Sequence, residues 1–285
     1  MLAQYVVNGV LTGGIYACLA VGFSLVWGVL NVVNMLHGSM VVLGAYFCLY
    51  AVQQLGTPLY VAMPLACLFL FAAGYAVQKG VINRVIGQPI LITLTLTFGL
   101  ELIVNNLLLH LFSATPRSLV TNFGAIEVFG LRIPVVRIGG MLVAAILTVL
   151  VYWLLRHSKI GRAIIAVRMD RHAAALMGIR IKQIYALTFG IGALMAGAAG
   201  CAMALIYPIT PMMSGLFLGK AFIICVLGGL GSVPGAIIGG LVLGLVEGVG
   251  SVTLGPQWAT SVGFMLMMLV IIVFPSGLAG KRGYE

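Results

Sequence analysis

Residues 216–250 read LFLGKAFIICVLGGLGSVPGAIIGGLVLGLVEGVG, an apolar run of about 35 residues. One membrane-crossing helix needs about 20 apolar residues, so this run is too long for a single ordinary span. Its middle contains five residues that break helices: Gly228, Gly229, Gly231, Pro234 and Gly235. Proline and clustered glycines interrupt helices, and interrupted backbone is tolerated in a membrane only where protein or a cavity surrounds it. The run therefore predicts a broken segment that enters the membrane and returns, with closely packed glycines.

The rest of the chain has the same apolar character. Of 285 residues, 62% are hydrophobic and only 7% are charged, whereas a soluble domain carries about 25% charged residues. The apolar residues form continuous runs, without the alternation of barrel strands, near residues 5–30, 38–55, 58–78, 88–112, 138–156, 185–206, 216–250 and 257–275. This pattern predicts an all-α integral membrane protein, a polytopic helical bundle of about eight membrane segments with the one at 216–250 broken or re-entrant. No linker divides the chain, so residues 1–285 are expected to form a single transmembrane domain.

The distribution of charge predicts the orientation of the chain in the membrane. The formal net charge is +10, and seven of the basic residues lie together between two apolar runs: Arg156, Lys159, Arg162, Arg168, Arg171, Arg180 and Lys182. Cytoplasmic loops of membrane proteins are enriched in Lys and Arg, so the loop 156–184 is expected in the cytoplasm and needs no nucleic-acid partner.

The other hydrophilic segments follow from this assignment. Counting crossings back from the basic loop places Lys79 and Arg84 in the cytoplasm too, and residues 113–137 outside, where alternation over 126–133 predicts a short hairpin. The carboxyl terminus, with Lys281 and Arg282, is also expected inside. Three full crossings after the basic loop would leave this terminus outside. A broken segment that enters the membrane and returns brings it back inside.

Motifs of enzymes and metal sites are missing from the sequence. Residues 215–221 resemble a phosphate-binding loop but are one residue too short and lack its Ser or Thr. The histidines do not have ligand spacing, and the five cysteines lie singly in apolar runs. We therefore expect no catalytic residues, no metal and no cofactor bound by this chain.

Polar residues inside the apolar runs are candidates for a solute pathway. Two sets recur at helical spacing, one every four residues and one every three: Thr93, Thr97, Glu101 and Asn105, and Asn31, Asn34 and His37. Polar groups are costly in lipid and usually face the interior of the bundle. A solute path and simple hydrogen bonding between helices fit both sets, whereas for Glu247 alone we prefer the packing interpretation.

Three stretches resemble a known family in sequence and in order. They are residues 22–38 (GFSLVWGVLNVVNMLHG), residues 170–179 (DRHAAALMGI), and residues 220–222 (KAF) with 227–236 (LGGLGSVPGA). Together they are similar to the branched-chain amino acid ABC-transporter permease family, LivH type, over nearly the whole chain.

The resemblance implies a permease subunit of an ATP-binding-cassette importer that translocates branched-chain or other hydrophobic amino acids across the bacterial inner membrane. It implies a second homologous permease subunit, two cytoplasmic ATPase subunits and an external, periplasmic solute-binding protein as partners. ATP would be bound and hydrolysed by the partner ATPases, so this chain would be a transport subunit rather than an enzyme.

The resemblance also places a coupling element, a short helix that docks into the ATPase, within the loop 156–184. Its residues would be Asp170, Arg171, His172, Ala173, Ala174, Gly178 and Ile179. The pattern of such importers is Glu-Ala-Ala followed by Gly, and here His172 stands at the acidic position. Asp170 is the candidate to supply that carboxylate. Gly178 is expected to end the short helix in a left-handed cap.

Two other functions fit the same sequence. One is an ABC permease for urea or short amides. The other is an ion-coupled secondary transporter, which can also contain broken helices; its acidic candidates would be Glu101 and Glu247. ATPase subunits that co-purify with the chain would exclude a carrier, and also a channel, the weakest option.

Overall fold

The computed structural model describes residues 2–119, 124–128, 130–274 and 277–278. Within these ranges, eight helices are long and apolar enough to cross a membrane. They are α1 (Leu2–Leu30), α2 (Leu36–Gln53), α3 (Leu59–Gly80), α4 (Ile90–Phe112), α5 (Val135–His157), α8 (Ile181–Ala204), α9 (Ser214–Gly228) extended by the preceding turn Pro211–Met213, and α10 (Val233–Thr253). The shorter α11 (Ala259–Val273) is also apolar. The all-α polytopic prediction is confirmed.

The centre of the bundle is α1, which packs on α8 and runs antiparallel to α10. Glycines make this second contact close: a Cβ added to Gly244 would lie 2.4 Å from Gly13 Cα, and one added to Gly240 would lie 2.6 Å from Ala17 Cα. Small residues allow such backbone contact between membrane helices. By contrast, α4 lies at the edge of the bundle, with only four of its residues buried.

The long apolar run breaks at the predicted residues. Gly229 and Gly231 adopt left-handed backbone, with φ of 96° and 77°, which glycine allows without steric cost. Pro234 lies in the first turn of α10, and Ser232 Oγ caps that helix by accepting from the Gly235 N–H at 3.1 Å. The two halves, α10 and α9 with the turn before it, form an antiparallel pair, and each is long and apolar enough to cross a membrane. The run is therefore broken where predicted.

This arrangement also accounts for the parity of the chain. After the basic loop come α8, α9, α10 and α11, and the Leu278 N–H then donates to the Leu227 carbonyl at 2.7 Å. The chain thus returns to the end of the bundle where α9 meets α10. Lys281 and Arg282, on which the predicted position of the tail depended, lie outside the described residues.

The remaining elements lie at the two ends of the bundle. Strands β1 (Ala125–Val128) and β2 (Leu131–Pro134) pair antiparallel, with Glu127 opposite Arg132, which confirms the hairpin. Gln4 anchors it to α1 by two bonds with the Arg132 backbone, at 2.8 and 2.9 Å. At the opposite end, α6 (Lys159–Met169) and α7 (Arg171–Leu176) form the basic loop.

Candidate functional site: polar clusters in the bundle and an exposed turn

The polar face of α4 points into the bundle, as its spacing predicted. The buried residues of this helix are Thr93, Thr97, Glu101 and Leu108, whereas apolar residues such as Ile103 and Leu111 are exposed. The usual pattern of a soluble helix is inverted, because lipid is the expected surroundings of the outer face.

A hydrogen-bonded cluster joins this face to α2 and α9. Asn105 Nδ2 donates to Ser214 Oγ at 2.8 Å, and Ser39 Oγ donates to Asn105 Oδ1 at 2.9 Å. Ser214 Oγ in turn lies 3.2 Å from Glu101 Oε1. We call Ser39, Glu101, Asn105 and Ser214 the α4 cluster. Sequence spacing found its two α4 members but could not find the two serines, which come from distant segments.

The other predicted polar set lies around the break between α1 and α2. Thr97 Oγ1 donates to the Val33 carbonyl at 3.2 Å and accepts from the Met35 N–H at 3.3 Å, so this break adjoins α4. Asn31 is exposed and has a φ of 52°. Asn34 and His37 are buried. The Thr97 side chain therefore contacts the segment between α1 and α2, whereas Asn31 lies outside the α4 cluster.

His37 is held by packing between α1 and α2. Its Nε2 lies 3.1 Å from the Leu19 carbonyl oxygen, and its ring meets Phe23 edge to face, with centroids 5.4 Å apart. Its Nδ1 and Asn34 Oδ1 are buried without a partner among the described residues. Their surroundings hold both side chains within the core of the bundle.

A second polar cluster lies deep between α1, α9 and α10. Lys220 Nζ is 2.8 Å from Glu247 Oε2, and Tyr16 OH donates to the same carboxylate oxygen at 2.7 Å. The ammonium also contacts Tyr16 OH. We call these three residues the Lys220 cluster. Because each charged group has an opposite charge and a hydrogen-bond partner, the cluster offsets the cost of charge in lipid.

The sequence shows Lys220 and Glu247 in the same broken run, but it does not show that the two charges pair. Lys220 and Glu247 meet only because α9 and α10 fold back on each other, and Tyr16 comes from a distant helix. Among the described residues, no three His, Cys, Asp or Glu side chains come together as metal ligands would.

At the loop end of the bundle, α7 is a short capped turn. Asp170 Oδ1 accepts from the His172 N–H at 2.7 Å and the Ala173 N–H at 3.1 Å, and these bonds, that from Ala173 foremost, lower the pKa of the Asp170 carboxyl. Gly178 ends the turn with a φ of 82°, as its left-handed cap required. One oxygen of the Asp170 carboxylate thus caps the start of α7.

The outward surface of α7 differs from the residues picked out by the sequence. Ala174 is buried against the core, and Ile179 is half-buried, whereas the predicted coupling residues Arg171 and His172 are exposed. Leu176 and Met177 are 90% and 83% exposed. These apolar side chains lie at the tip of a basic loop, and their exposure was not predicted from the sequence.

Residues 5–273 match the model of the family described as branched-chain amino acid transport system / permease component. The chain belongs to this family. It is 32% identical, over 99% of its length and 97% of the relative's, to the high-affinity branched-chain amino acid transport system permease protein BraD of Pseudomonas aeruginosa. It is 31% identical to the corresponding protein LivH of Escherichia coli K12, over 99% of this chain and 96% of that one.

A solved structure shares the fold of this permease. PsaBC from Streptococcus pneumoniae, in complex with Fab, aligns with a TM-score of 0.54 over 97% of both chains, at 12% sequence identity. This likeness extends over the entire bundle, so α1 to α11 form one known arrangement of helices.

Two of the three stretches that carry the family resemblance, 22–38 and 227–236, meet in the permease at the loop end of the bundle. The end of α6, which precedes the stretch 170–179, reaches the same point. A Cβ added to Gly28, from the stretch 22–38, would lie 3.0 Å from Gly231 Cα, in the stretch 227–236, and 3.6 Å from Arg168 Nε. Arg168 lies in the last turn of α6, two residues before the stretch 170–179 begins. Only Met169 and Asp170 separate α7 from this arginine, whose side chain adjoins the contact of α1 with the α9–α10 loop.

Proposed function

We propose that this chain is the membrane-spanning permease subunit of an ATP-binding-cassette importer for branched-chain or other hydrophobic amino acids in the bacterial inner membrane. The observation that carries the proposal is the likeness to permease proteins of that description over 96–97% of their length. A likeness this complete includes the membrane helices, the α6–α7 loop and the broken run together.

The proposed complex contains a second homologous permease, two cytoplasmic ATPases that use ATP, and an external solute-binding protein. The exposed tip of α7 supports the ATPase contact. Leu176 and Met177 present apolar surface beside Arg171 and Arg180, a combination suited to a cleft with an apolar floor and an acidic rim. Ala173 is small and exposed on the same turn, which lets the element approach closely.

Coupling would pass from α7 to the membrane helices through α6. Ile164 and Val167 bury one face of α6 against the bundle, so a push on α7 moves α6 as a body. Arg168 then transmits this motion to the contact of Gly28 with Gly231, and α1 and α10 extend from that contact through the bundle. A coupled motion needs such an element with two arrangements, and the glycine-rich α9–α10 loop is the proposed hinge.

The α4 cluster is the proposed solute contact. An amino acid has an ammonium and a carboxylate to satisfy when it leaves water, and Glu101, Asn105, Ser39 and Ser214 supply an anion, amide groups and hydroxyls. Thr93 and Thr97 continue the polar face along α4. The apolar side chain of the solute needs no polar partner, so a short polar patch in an apolar bundle is sufficient.

The proposed orientation places the α6–α7 loop in the cytoplasm, because of its basic residues. A cysteine at Ser158 should resist an impermeant thiol reagent added to intact cells, whereas one at Ser118 should react. All five native cysteines are buried, so labelling reports the introduced residue. The reverse pattern of labelling would overturn the orientation.

Uptake in cells with and without this gene tests the proposed substrate. Loss of the gene should abolish high-affinity uptake of radiolabelled leucine and leave uptake of urea unchanged. If urea uptake falls and leucine uptake does not, the substrate class is wrong while the importer architecture is retained.

A further inference from the structure

A cleft of about 530 Å³ opens where α3 ends and α8 begins. It is lined by residues of α3, of the turn that follows it, and of the first two turns of α8: Tyr75, Lys79, Asn83, Arg84, Ile86, Lys182, Gln183 and Ala186. None of the roles proposed above uses these residues. We call this feature the α3–α8 cleft.

The charge of the cleft is uniformly positive. Lys79, Arg84 and Lys182 are all exposed around it, and the residues that line it include no Asp or Glu. Like charges brought together without a counter-ion repel each other. Three cations around one concave space are therefore expected to bind an anion.

The cleft is held in shape by buried and hydrogen-bonded residues. Gln78 Nε2 donates to Asn83 Oδ1 at 3.1 Å, and Asn83 Nδ2 donates to the Lys182 carbonyl at 3.0 Å. Ile82 is fully buried and anchors the turn between them. Because these contacts tie the end of α3 to the start of α8, the three cations project from a preformed site and binding need not order a loop.

The position of the cleft matches the level of lipid headgroups. It lies at the ends of two helices apolar enough to cross a membrane. Along α3, an exposed row of apolar residues leads to it: Leu65, Leu68, Ala72 and Ala76 are exposed, and Lys79 continues the row at helical spacing. An acyl chain could lie along this row while its headgroup occupies the cleft.

We propose that the α3–α8 cleft binds the phosphate headgroup of an anionic phospholipid, with Lys79, Arg84 and Lys182 contacting the phosphate and Tyr75, Asn83 and Gln183 offering hydrogen bonds. Basic pockets between membrane helices on the cytoplasmic side recognise such headgroups. The volume lies within the range of about 300–1,000 Å³ found for small-molecule sites. The adjoining apolar row favours a lipid, because neither a free anion nor an acidic protein surface has an acyl chain to cover that row.

Binding of phosphatidylglycerol to the delipidated full chain in detergent tests the proposal, with phosphatidylcholine as the neutral comparison. Native mass spectrometry should detect a tightly held phosphatidylglycerol and no comparably held phosphatidylcholine. Each basic residue near a membrane surface contributes about 1 kcal/mol, so removing one of the three should weaken binding about fivefold. The triple variant Lys79→Ala, Arg84→Ala, Lys182→Ala should weaken it about a hundredfold.

Two triple variants serve as controls. Arg156→Ala, Lys159→Ala, Arg162→Ala removes the same charge from the same end of the bundle, outside the cleft, and should bind lipid as the parent does. Lys79→Arg, Arg84→Lys, Lys182→Arg keeps the charge and should also retain binding. Equal losses in the two alanine variants, or equal binding of the two lipids, would overturn the proposal. The proposal would also be overturned if soluble glycerol phosphate competed for the cleft as strongly as the lipid does. The same holds if the alanine variant of the cleft lost ATPase subunits but kept its lipid binding. None of these readouts depends on transport.

Discussion

Gly28 in α1 and Gly231 in the α9–α10 loop touch backbone to backbone, so that a Cβ on Gly231 would lie 3.1 Å from Gly28 Cα and 3.5 Å from Arg168 Nη2. Three segments far apart in sequence thus share one contact at the loop end of the bundle. No side chain larger than hydrogen fits there on α1 without displacing its neighbours. If α6 drives the membrane helices, this is the contact through which it acts.

Gly28→Ala should therefore impair both stability and coupling. Adding a methyl group to a packed site costs about 1–3 kcal/mol, which should appear as a lower unfolding temperature in detergent. Gly99→Ala is the matched control, because a Cβ at this α4 glycine meets nothing within 4 Å among the described residues. It should be neutral or slightly stabilising, since alanine favours a helix more than glycine does. Equal unfolding temperatures for both variants would show that the Gly28 contact is loose.

The stability of the folded protein should depend strongly on the ion pair between Lys220 and Glu247 in the Lys220 cluster. Lys220→Met leaves Glu247 buried without its cation, and breaking a buried pair from one side typically costs about 3–5 kcal/mol. The double variant Lys220→Met, Glu247→Leu removes both charges and should recover much of that loss. Thermal unfolding of the two purified variants makes the comparison. A single variant as stable as the parent would mean that the pair contributes nothing.

Two substitutions of Glu101 in the α4 cluster distinguish a role in solute contact from a role in helix packing. Glu101→Gln keeps the size and the hydrogen-bonding atoms that face Ser214 and Asn105, so the complex should assemble while leucine uptake falls, because the anion is lost. Glu101→Leu removes the acceptor altogether and should also weaken assembly. Uptake rates normalised to the amount of assembled complex distinguish the two effects. Normal assembly and normal uptake by the leucine variant would exclude both roles.

The sequence predicted features that depend on neighbours along the chain. Apolar run length predicted the spans, the cluster from Gly228 to Gly235 predicted the break, and four-residue spacing predicted the buried face with Thr97 and Glu101. Contacts between distant segments could not be predicted. Ser39 and Ser214 in the α4 cluster, and Tyr16 beside Lys220, depend on how the helices pack. The burial of Ala174 could not be predicted, because a helix of six residues has too few positions to reveal its buried face.

The end of α7 depends on the backbone of Gly178. A β-branched residue there must adopt a φ near 82°, and left-handed backbone costs an ordinary residue about 1–2 kcal/mol. Gly178→Val should therefore loosen α7 and reduce stimulated ATP hydrolysis, whereas Gly178→Asn, which tolerates this conformation, should be nearly normal. Both variants should insert in the membrane at parental levels. Identical hydrolysis in the two variants would mean that the cap does not matter for coupling.

The central claim is that the ATPase subunits drive this permease through their contact with the tip of α7. The most direct test is the number of ATPase subunits that co-purify with variants of this tip. Leu176→Glu with Met177→Glu places charge on the two most exposed apolar residues of the turn, while Ile160→Glu, 44% exposed on α6, places a charge elsewhere in the same loop. We predict that the tip variant inserts normally but loses its ATPase subunits, and that the α6 variant keeps them. A tip variant that retains both ATPases, with full leucine-stimulated hydrolysis, would contradict the account.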